Sequence, residues 1–169
     1  MTSKLVLHDL PENESSIYLS SKSENITYFA AHPTIQSCIS CFGCWIKTPG
    51  MCVVKDESNV FSKIIPEHDV FIIISKCIYG GLSPDVKVIL ERSIGVLSPF
   101  FGIVNGEMHH LPRYKKMPIL AYHFYGSDIT EYEKETARKL TAANALNFYA
   151  PKHEVYFHSS LSEIKEILP

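Results

Sequence analysis

Four of the five cysteines stand in one short stretch, CISCFGCWIKTPGMC, which runs from Cys38 to Cys52. Cys38, Cys41 and Cys44 are spaced three apart, and Cys52 follows after an interval that holds Thr48-Pro49-Gly50. Three thiolates in one tight loop can hold three corners of a 4Fe-4S cubane. The Pro-Gly turn brings the chain back so that a fourth can reach the remaining iron. Zinc sites more often pair their cysteines across a longer loop, and three ligands at consecutive spacing crowd a tetrahedral centre. Unligated thiols packed beneath an aromatic such as Trp45 are the third reading, because small cysteines are good interior residues. Cys77, alone at the end of an apolar run, reads as a core or near-core residue.

The compartment bears on that choice. The first thirty residues show no basic start, apolar core and small-residue cleavage site, so a cytoplasmic chain is expected, where structural disulfides are rare. No long uncharged apolar run suggests a membrane span. With 16 Lys+Arg against 18 Asp+Glu and a net charge of -2, the chain carries no footprint for nucleic acid. At 169 residues and 46% hydrophobic content, one domain over 1–169 is expected.

Elements must position those thiols. KLVLHDL, residues 4–10, reads as a first strand closed by Pro11 and a polar turn, PENESS. IYLSSKSENITYFAAHP can hold either a short helix or two strands, Ile17–Leu19 and Ile26–Ala30, joined by SKSEN, and its β-branched and aromatic content favours the strands. Asp56 or Ser58 is expected to cap a helix bearing Val60, Phe61, Ile64 and Ile65, which Pro66 ends. Val70–Ile74 is a continuous apolar run, as in a strand buried on both faces of a parallel sheet. Ser83 and Pro84 open a helix bearing Val86, Ile89, Leu90 and Ile94. Residues 98–117 read as an insertion or long loop. PILAYHFY, from Pro118, is a further strand, and Thr130 with Glu133 forms a capping box for a helix to about Asn147. Glu154–His158 is a last strand. From Ser160 a closing amphipathic helix carries Leu161, Ile164 and Leu168 on one face. Strand and helix alternating in this way predict a parallel α/β sheet with helices on both faces.

Taken in order, CISCFGCWIKTPGMCVVKDE, HDVFIIIS and IYGGLSPDVKVILER resemble the flavodoxin-like NAD(P)H-dependent FMN reductases, and within them the iron-sulfur flavoproteins. The resemblance runs over residues 36–92, and MHHLPRYKKMPILAYHFYG onward is similar to the C-terminal half of clostridial-type members. It implies a doubly wound sheet of about five mostly parallel strands, with FMN at the strands' carboxyl ends. Carried over by position, Ile78, Tyr79, Gly80 and Gly81 would lie along the flavin ring, with Ser75 at the strand exit. Tyr125, Gly126 and Ser127 would approach from the other side. NAD(P)H or a protein electron donor would be the partner, and a homo-oligomer is expected because family members commonly place the flavin near a subunit interface. The chain departs from the family at the phosphate loop, which in the family is rich in Gly, Ser, Thr and Asn. Here it reads HDLPENESS, so the first βα unit is shortened or altered, and Asp9, Glu12 and Glu14 put negative charge where a phosphate would sit.

Two function classes follow. One is an FMN-dependent oxidoreductase or electron-transfer flavoprotein with a 4Fe-4S cluster on Cys38, Cys41, Cys44 and Cys52. The other is a flavin-less relative that keeps the scaffold and acts as a binding or assembly subunit. His109, His110, Arg113, Lys115 and Lys116 could form an anion site, although a solvated loop is the commoner meaning of such a run. Tyr122, His123 and Tyr125 read as core packing on a strand.

Overall fold

The computed structural model describes residues 2–18 and 24–166. In chain order its strands are β1 (Lys4–His8), β2 (Ile26–Ala30), β3 (Val70–Lys76), β4 (Leu97–Val104), β5 (Glu107–Pro112), β6 (Ile119–Tyr125) and β7 (His153–His158). The helices are α1 (Glu12–Tyr18), α2 (Gly43–Ile46), α3 (Phe61–Ile64), α4 (Pro84–Arg92) and α5 (Glu131–Asn147). Five strands pair in the order β2-β1-β3-β6-β7, every pair parallel. The doubly wound sheet expected from the alternating pattern is therefore present. No helix among the described residues is long and apolar enough to cross a membrane.

The central strands are those with unbroken apolar runs, because parallel strands covered on both faces have no side to leave in water. On one face Leu5, Leu7, Phe71, Ile73, Leu120, Tyr122 and Phe124 pack against Phe61, Val86, Ile89, Ala137 and Ala145. The other face gathers Val6, Ile72, Ile74 and Ala121 beneath Leu10 and Ile164. Ser83 caps α4 by accepting from the Val86 amide, and Thr130 and Glu133 form the expected capping box at α5.

Five local expectations are corrected. PENESS is not a turn: α1 starts there, with the Glu14 and Ser15 amides bonded to the Pro11 carbonyl. Pro11 and the first-turn carboxylates suit a helix start, and this favours helix over the strand expected from Ile17; Leu19 lies outside the described residues. Residues 98–117 are not a loop but mostly the antiparallel hairpin β4–β5, turned at Asn105-Gly106 with both residues at positive φ. Asp56 does not cap α3, whose N-terminus has no side-chain cap, and Ser58 with Asp56 forms a local turn instead. The closing segment is a 3₁₀ turn over Leu161–Glu166, in which Ile164 is buried; Leu168 lies outside the described residues.

Buried histidines give the fold a pH dependence. Burial holds both His8 and His123 well below the ordinary histidine value of 6.5, at about 4. His8 Nδ1 accepts from the Leu10 amide, and His123 Nδ1 lies 3.0 Å from His158 Nε2 across adjacent strands. Each group binds its proton more readily unfolded than folded. Its contribution is therefore complete above pH 6.5 and lost as pH falls toward 4, by up to about 1.4 kcal/mol per pH unit for each histidine. Urea midpoints measured across that window are expected to fall steadily on acidification. A flat profile would contradict the buried neutral assignment.

Candidate functional site

Cys38, Cys41, Cys44 and Cys52 line one small cavity of about 80 Å³, closed by Ile94 and the Arg92 side chain. The local chain explains how they meet. Ser40 and Phe42 sit at φ 52° and 55°, which bends the loop sharply before the single turn of α2. Gly43 can hold that turn against Val53 because a Cβ there would fall 2.4 Å from Val53 Cγ1. The return through Pro49-Gly50 is present as expected: Gly50 has φ 79°, and its amide donates to the Cys44 carbonyl at 2.9 Å.

All five cysteines are free; Cys38 and Cys41 are exposed, the others half-buried. Burial pushes the Cys44 thiol up, and the nearness of Cys52, Cys38 and Cys41 adds to the shift. Cys77 stands apart and packs against the main core. As they stand, no three His, Cys, Asp or Glu side chains among the described residues are arranged to hold a metal ion. The donor set suits a thiolate-bound centre, and ligation would require the four thiols around the cavity to rearrange.

Arg92 is the charged wall of that cavity. Its side chain is 1% exposed and pairs with Asp56 through Nη1. The guanidinium also donates to the carbonyls of Gln36 at 3.0 Å and Val54 at 3.1 Å. Burial works against its charge, but the hydrogen bond to Asp56 and the nearness of Cys52 outweigh it. Burial would likewise raise Asp56, yet bonds from Arg92, Ser58 and Gln36 hold its carboxyl at about 2. Arg92 Nε is buried and has no hydrogen-bond partner. An orphaned N–H beside four thiols is a donor waiting for a sulfur that carries negative charge.

The second place of interest is the carboxyl end of the sheet, where the chain turns from β1 to β2 on one side and to β3 on the other. Asp9 fills it. Its carboxylate accepts from the Lys76 amide at 3.2 and 3.0 Å and from the Tyr125 hydroxyl at 3.1 Å. One side chain thus ties together the ends of β1, β3 and β6. Burial pushes the Asp9 carboxyl up against these bonds, while burial and the neighbouring Asp9 push the Tyr125 phenol up.

Among solved structures, the chain is similar to the azoreductase from Bacillus anthracis str. Sterne, with TM-score 0.60 and 12% identity over 99% of this chain and 94% of that one. NAD(P)H:quinone oxidoreductase from Methanothermobacter marburgensis superposes with TM-score 0.59 and 11% identity, covering 99% and 93%. General stress protein 14 from Treponema denticola, solved in complex with FMN, gives TM-score 0.56 and 15% identity over 98% and 91%. The fold is flavodoxin-like. No family model and no curated protein matches the sequence, so at these identities the likeness is one of fold.

In a flavodoxin-like fold the ligand crevice lies outside the strand ends at the switch point. In this flavodoxin-like chain that place is spanned by Asp9, whose carboxylate would face any phosphate put there. The following loop has no glycine to bring backbone amides close, and Glu12 and Glu14 open α1. The residues at the strand ends do not fit an FMN phosphate, and no step is assigned to a flavin.

The residues expected along the ring lie in two loops that leave the neighbouring ends of β3 and β6, where the Cys77 amide donates to the Tyr125 carbonyl at 2.9 Å, but they line different cavities. Ser75 is fully buried, donating to the Lys76 carbonyl and accepting from the Ser83 amide. Ile78 and Gly81 bond to each other in a tight turn, with Tyr79 and Gly80 between them at φ 51° and 79°. That turn throws Tyr79 outward to 89% exposure and docks Gly80 on α5. Ile78 and Gly81 line a cavity of about 620 Å³ between α4, α5 and the base of the hairpin. Gly126 and Ser127 line a separate one of about 320 Å³ with Lys134 and His158. Tyr125 is committed to Asp9.

The basic run does not converge either. His109 bonds Asn147 and Glu107, Arg113 donates to the carbonyls of Gly95 and Leu97, and Lys116 pairs with Asp69. His110 instead stacks between Trp45 and Phe101. Arg92 and Asp56, which give the thiol cavity its charge, were assigned no such role from sequence. An arginine in the last turn of a helix ordinarily means a favourable dipole contact.

Proposed function

We propose that the chain is an electron-transfer oxidoreductase of flavodoxin-like fold, whose redox centre is a 4Fe-4S cluster held by Cys38, Cys41, Cys44 and Cys52. The observation that carries this reading is the convergence of all four thiols on one cavity, beside a buried guanidinium with an unpartnered N–H. Bound there, such a cluster supplies one-electron transfer. The chain's own parts in this reading are separable. Cys44 and Cys52 flank the hydrogen-bonded Thr48–Gly50 return, Cys38 and Cys41 come from the loop before α2, and Ile94 helps keep water from the sulfurs. Arg92 would offset thiolate charge beside Cys52, while Asp56 fixes its orientation.

Anaerobic reconstitution is expected to give a brown protein with roughly four iron and four sulfide per chain. Cys44→Ser is expected to lose most of that iron while retaining the far-UV circular dichroism of the native chain. A colourless chain free of iron after reconstitution would sink the reading, and stoichiometric zinc in its place would replace it with a structural zinc module.

A second reading is favoured by the azoreductase, quinone oxidoreductase and FMN-complexed neighbours: an FMN-dependent reductase acting with NAD(P)H. Because Asp9 occupies the phosphate position, titration of FMN is expected to give no stoichiometric fluorescence quenching at micromolar protein. Tight one-to-one quenching would instead establish the flavin reading.

A further inference from the structure

The groove of about 620 Å³ between α4 and α5 is not used by either reading above. It runs along the two helices, from the Ile78–Gly81 turn to the end of α5 at Asn147 and Phe148, where the base of the hairpin closes it. Cavities of about 300–1,000 Å³ are the size that holds a small organic molecule. No cysteine lines this one, so it stands whatever the thiols hold.

Most of its wall is hydrocarbon. Leu90, Ile94, Val96 and Leu97 come from α4 and the chain that follows it, and Leu140 and Phe148 come from α5 and its end. Lys87 is the one lysine or arginine of that wall among the described residues, and Glu91 one turn on pairs with it at 3.6 Å. A phosphate or carboxylate placed there would find no free counter-charge. The remaining polar groups are neutral and can both give and take hydrogen bonds. Asn147 Oδ1 is engaged by His109 at 3.1 Å, which leaves the amide hydrogens of that side chain for a ligand. His110 Nδ1 lies 3.1 Å from the Ser98 carbonyl and must donate to it, so Nε2 of the neutral ring is an acceptor. Asn144 is in reach of the Tyr122 hydroxyl, which is buried and has no hydrogen-bond partner. A carboxamide can serve that hydroxyl with one atom and a ligand with the other.

We propose that this groove binds an uncharged ring compound that carries an amide or lactam edge. The hydrocarbon wall takes the ring. The carboxamides of Asn144 and Asn147 donate to the ligand's carbonyl, and His110 Nε2 accepts from its N–H. Because the only lysine of the wall is already paired, the occupant carries no phosphate, which separates it from a flavin nucleotide and from a pyridine dinucleotide. Ile94 belongs to this wall and to that of the thiol cavity, so the bound ring lies one side chain from the cysteines.

The chain carries its own reporter. Trp45 is the single tryptophan, its Nε1–H donates to the Ile94 carbonyl at 3.2 Å and its ring packs on His110 at 4.5 Å, so its one indole N–H resonance senses the groove wall. Titration of the purified chain, thiols kept reduced, uses carbostyril, an uncharged bicyclic lactam. It is expected to move that resonance saturably, with a dissociation constant near or below ~1 mM for a molecule of about eleven non-hydrogen atoms. Quinaldate, the same ring system with an anionic edge, should bind at least about tenfold more weakly. Asn147→Leu should weaken carbostyril by roughly fivefold, the loss of one neutral hydrogen bond, and Leu140→Tyr, which fills the groove from α5, should abolish the saturable shift. A resonance that does not move at millimolar carbostyril, or quinaldate binding as well as the lactam, overturns the proposal. Displacement of carbostyril by NADH also overturns it, since the groove would then belong to the reductase reading. Should either variant lose the native far-UV spectrum, the three ligands on the native chain decide alone.

Discussion

Replacing Arg92 by leucine is expected to lower the free energy of unfolding by about 3 kcal/mol, the lower end for breaking a buried ion pair by removing one partner. The lower end applies because the Asp56 side chain is still 15% exposed and can recover some hydration. Most of the loss is what remains behind: a carboxylate without its cation, and the carbonyls of Gln36 and Val54 without their donor. Arg92→Lys keeps the charge but not the planar fork that reaches three acceptors, so it should recover only part of the stability. Removing both partners, in R92L/D56L, should cost less than R92L alone, since no charge is then stranded. Urea midpoints of the three variants make the comparison. A loss below about 1 kcal/mol for R92L would show that water reaches the pair and that Arg92 is not the buried wall of the thiol cavity.

Gly80→Ala should be nearly as costly, at about 2–3 kcal/mol, for two additive reasons. At φ 79° an alanine is strained, and its Cβ would fall 2.7 Å from both the Glu133 carbonyl oxygen and Thr136 Cβ. The carbonyl is part of the first turns of α5 and cannot swing aside, so the β3–α4 loop itself would have to lift. Gly106 supplies the control. It has φ 85° with nothing within 4 Å of the added atom, so Gly106→Ala should show only the backbone cost, about 1 kcal/mol. Equal thermal shifts for the two variants would mean that docking against α5 contributes nothing.

These two residues show what was legible. The covalent spacing of Cys38, Cys41, Cys44 and Cys52 limits how far apart the thiols can be, so their meeting at one cavity could be anticipated. The apolar runs of β3 and β6 and the caps at Ser83 and Thr130 are local signals with one dominant physical meaning, and the structure keeps them. Gly80 carried a correct signal with an incomplete meaning: it announced an unusual backbone or a close approach, and the neighbour that comes close is α5. Asn105-Gly106 was the strongest short-range hairpin signal in the chain, but the histidines and mixed polarity around it hid the strands on either side. Arg92 and Asp56 lie 36 positions apart. Only the packing of α4 beside the cysteine loop reveals them as partners. Asp9 was legible as a charge in the wrong place for a phosphate, whereas its bonds to β3 and β6 depend on the assembled sheet.

The uneven covering of the sheet has a consequence for the order in which the molecule can form. The face built on Val6, Ile72, Ile74 and Ala121 is closed by Leu10 and Ile164, which come from opposite ends of the chain, and α1 touches the turn at Leu161–Glu166. Closing so long a stretch of chain costs entropy that must be spent before those contacts return anything. Within the layer beneath α4 and α5, the contacts among β3, α4, β6 and α5 span a shorter stretch of chain, so they can serve as the nucleus. The seam between Leu10 and Ile164 is then the last to close and the first to open under a denaturant.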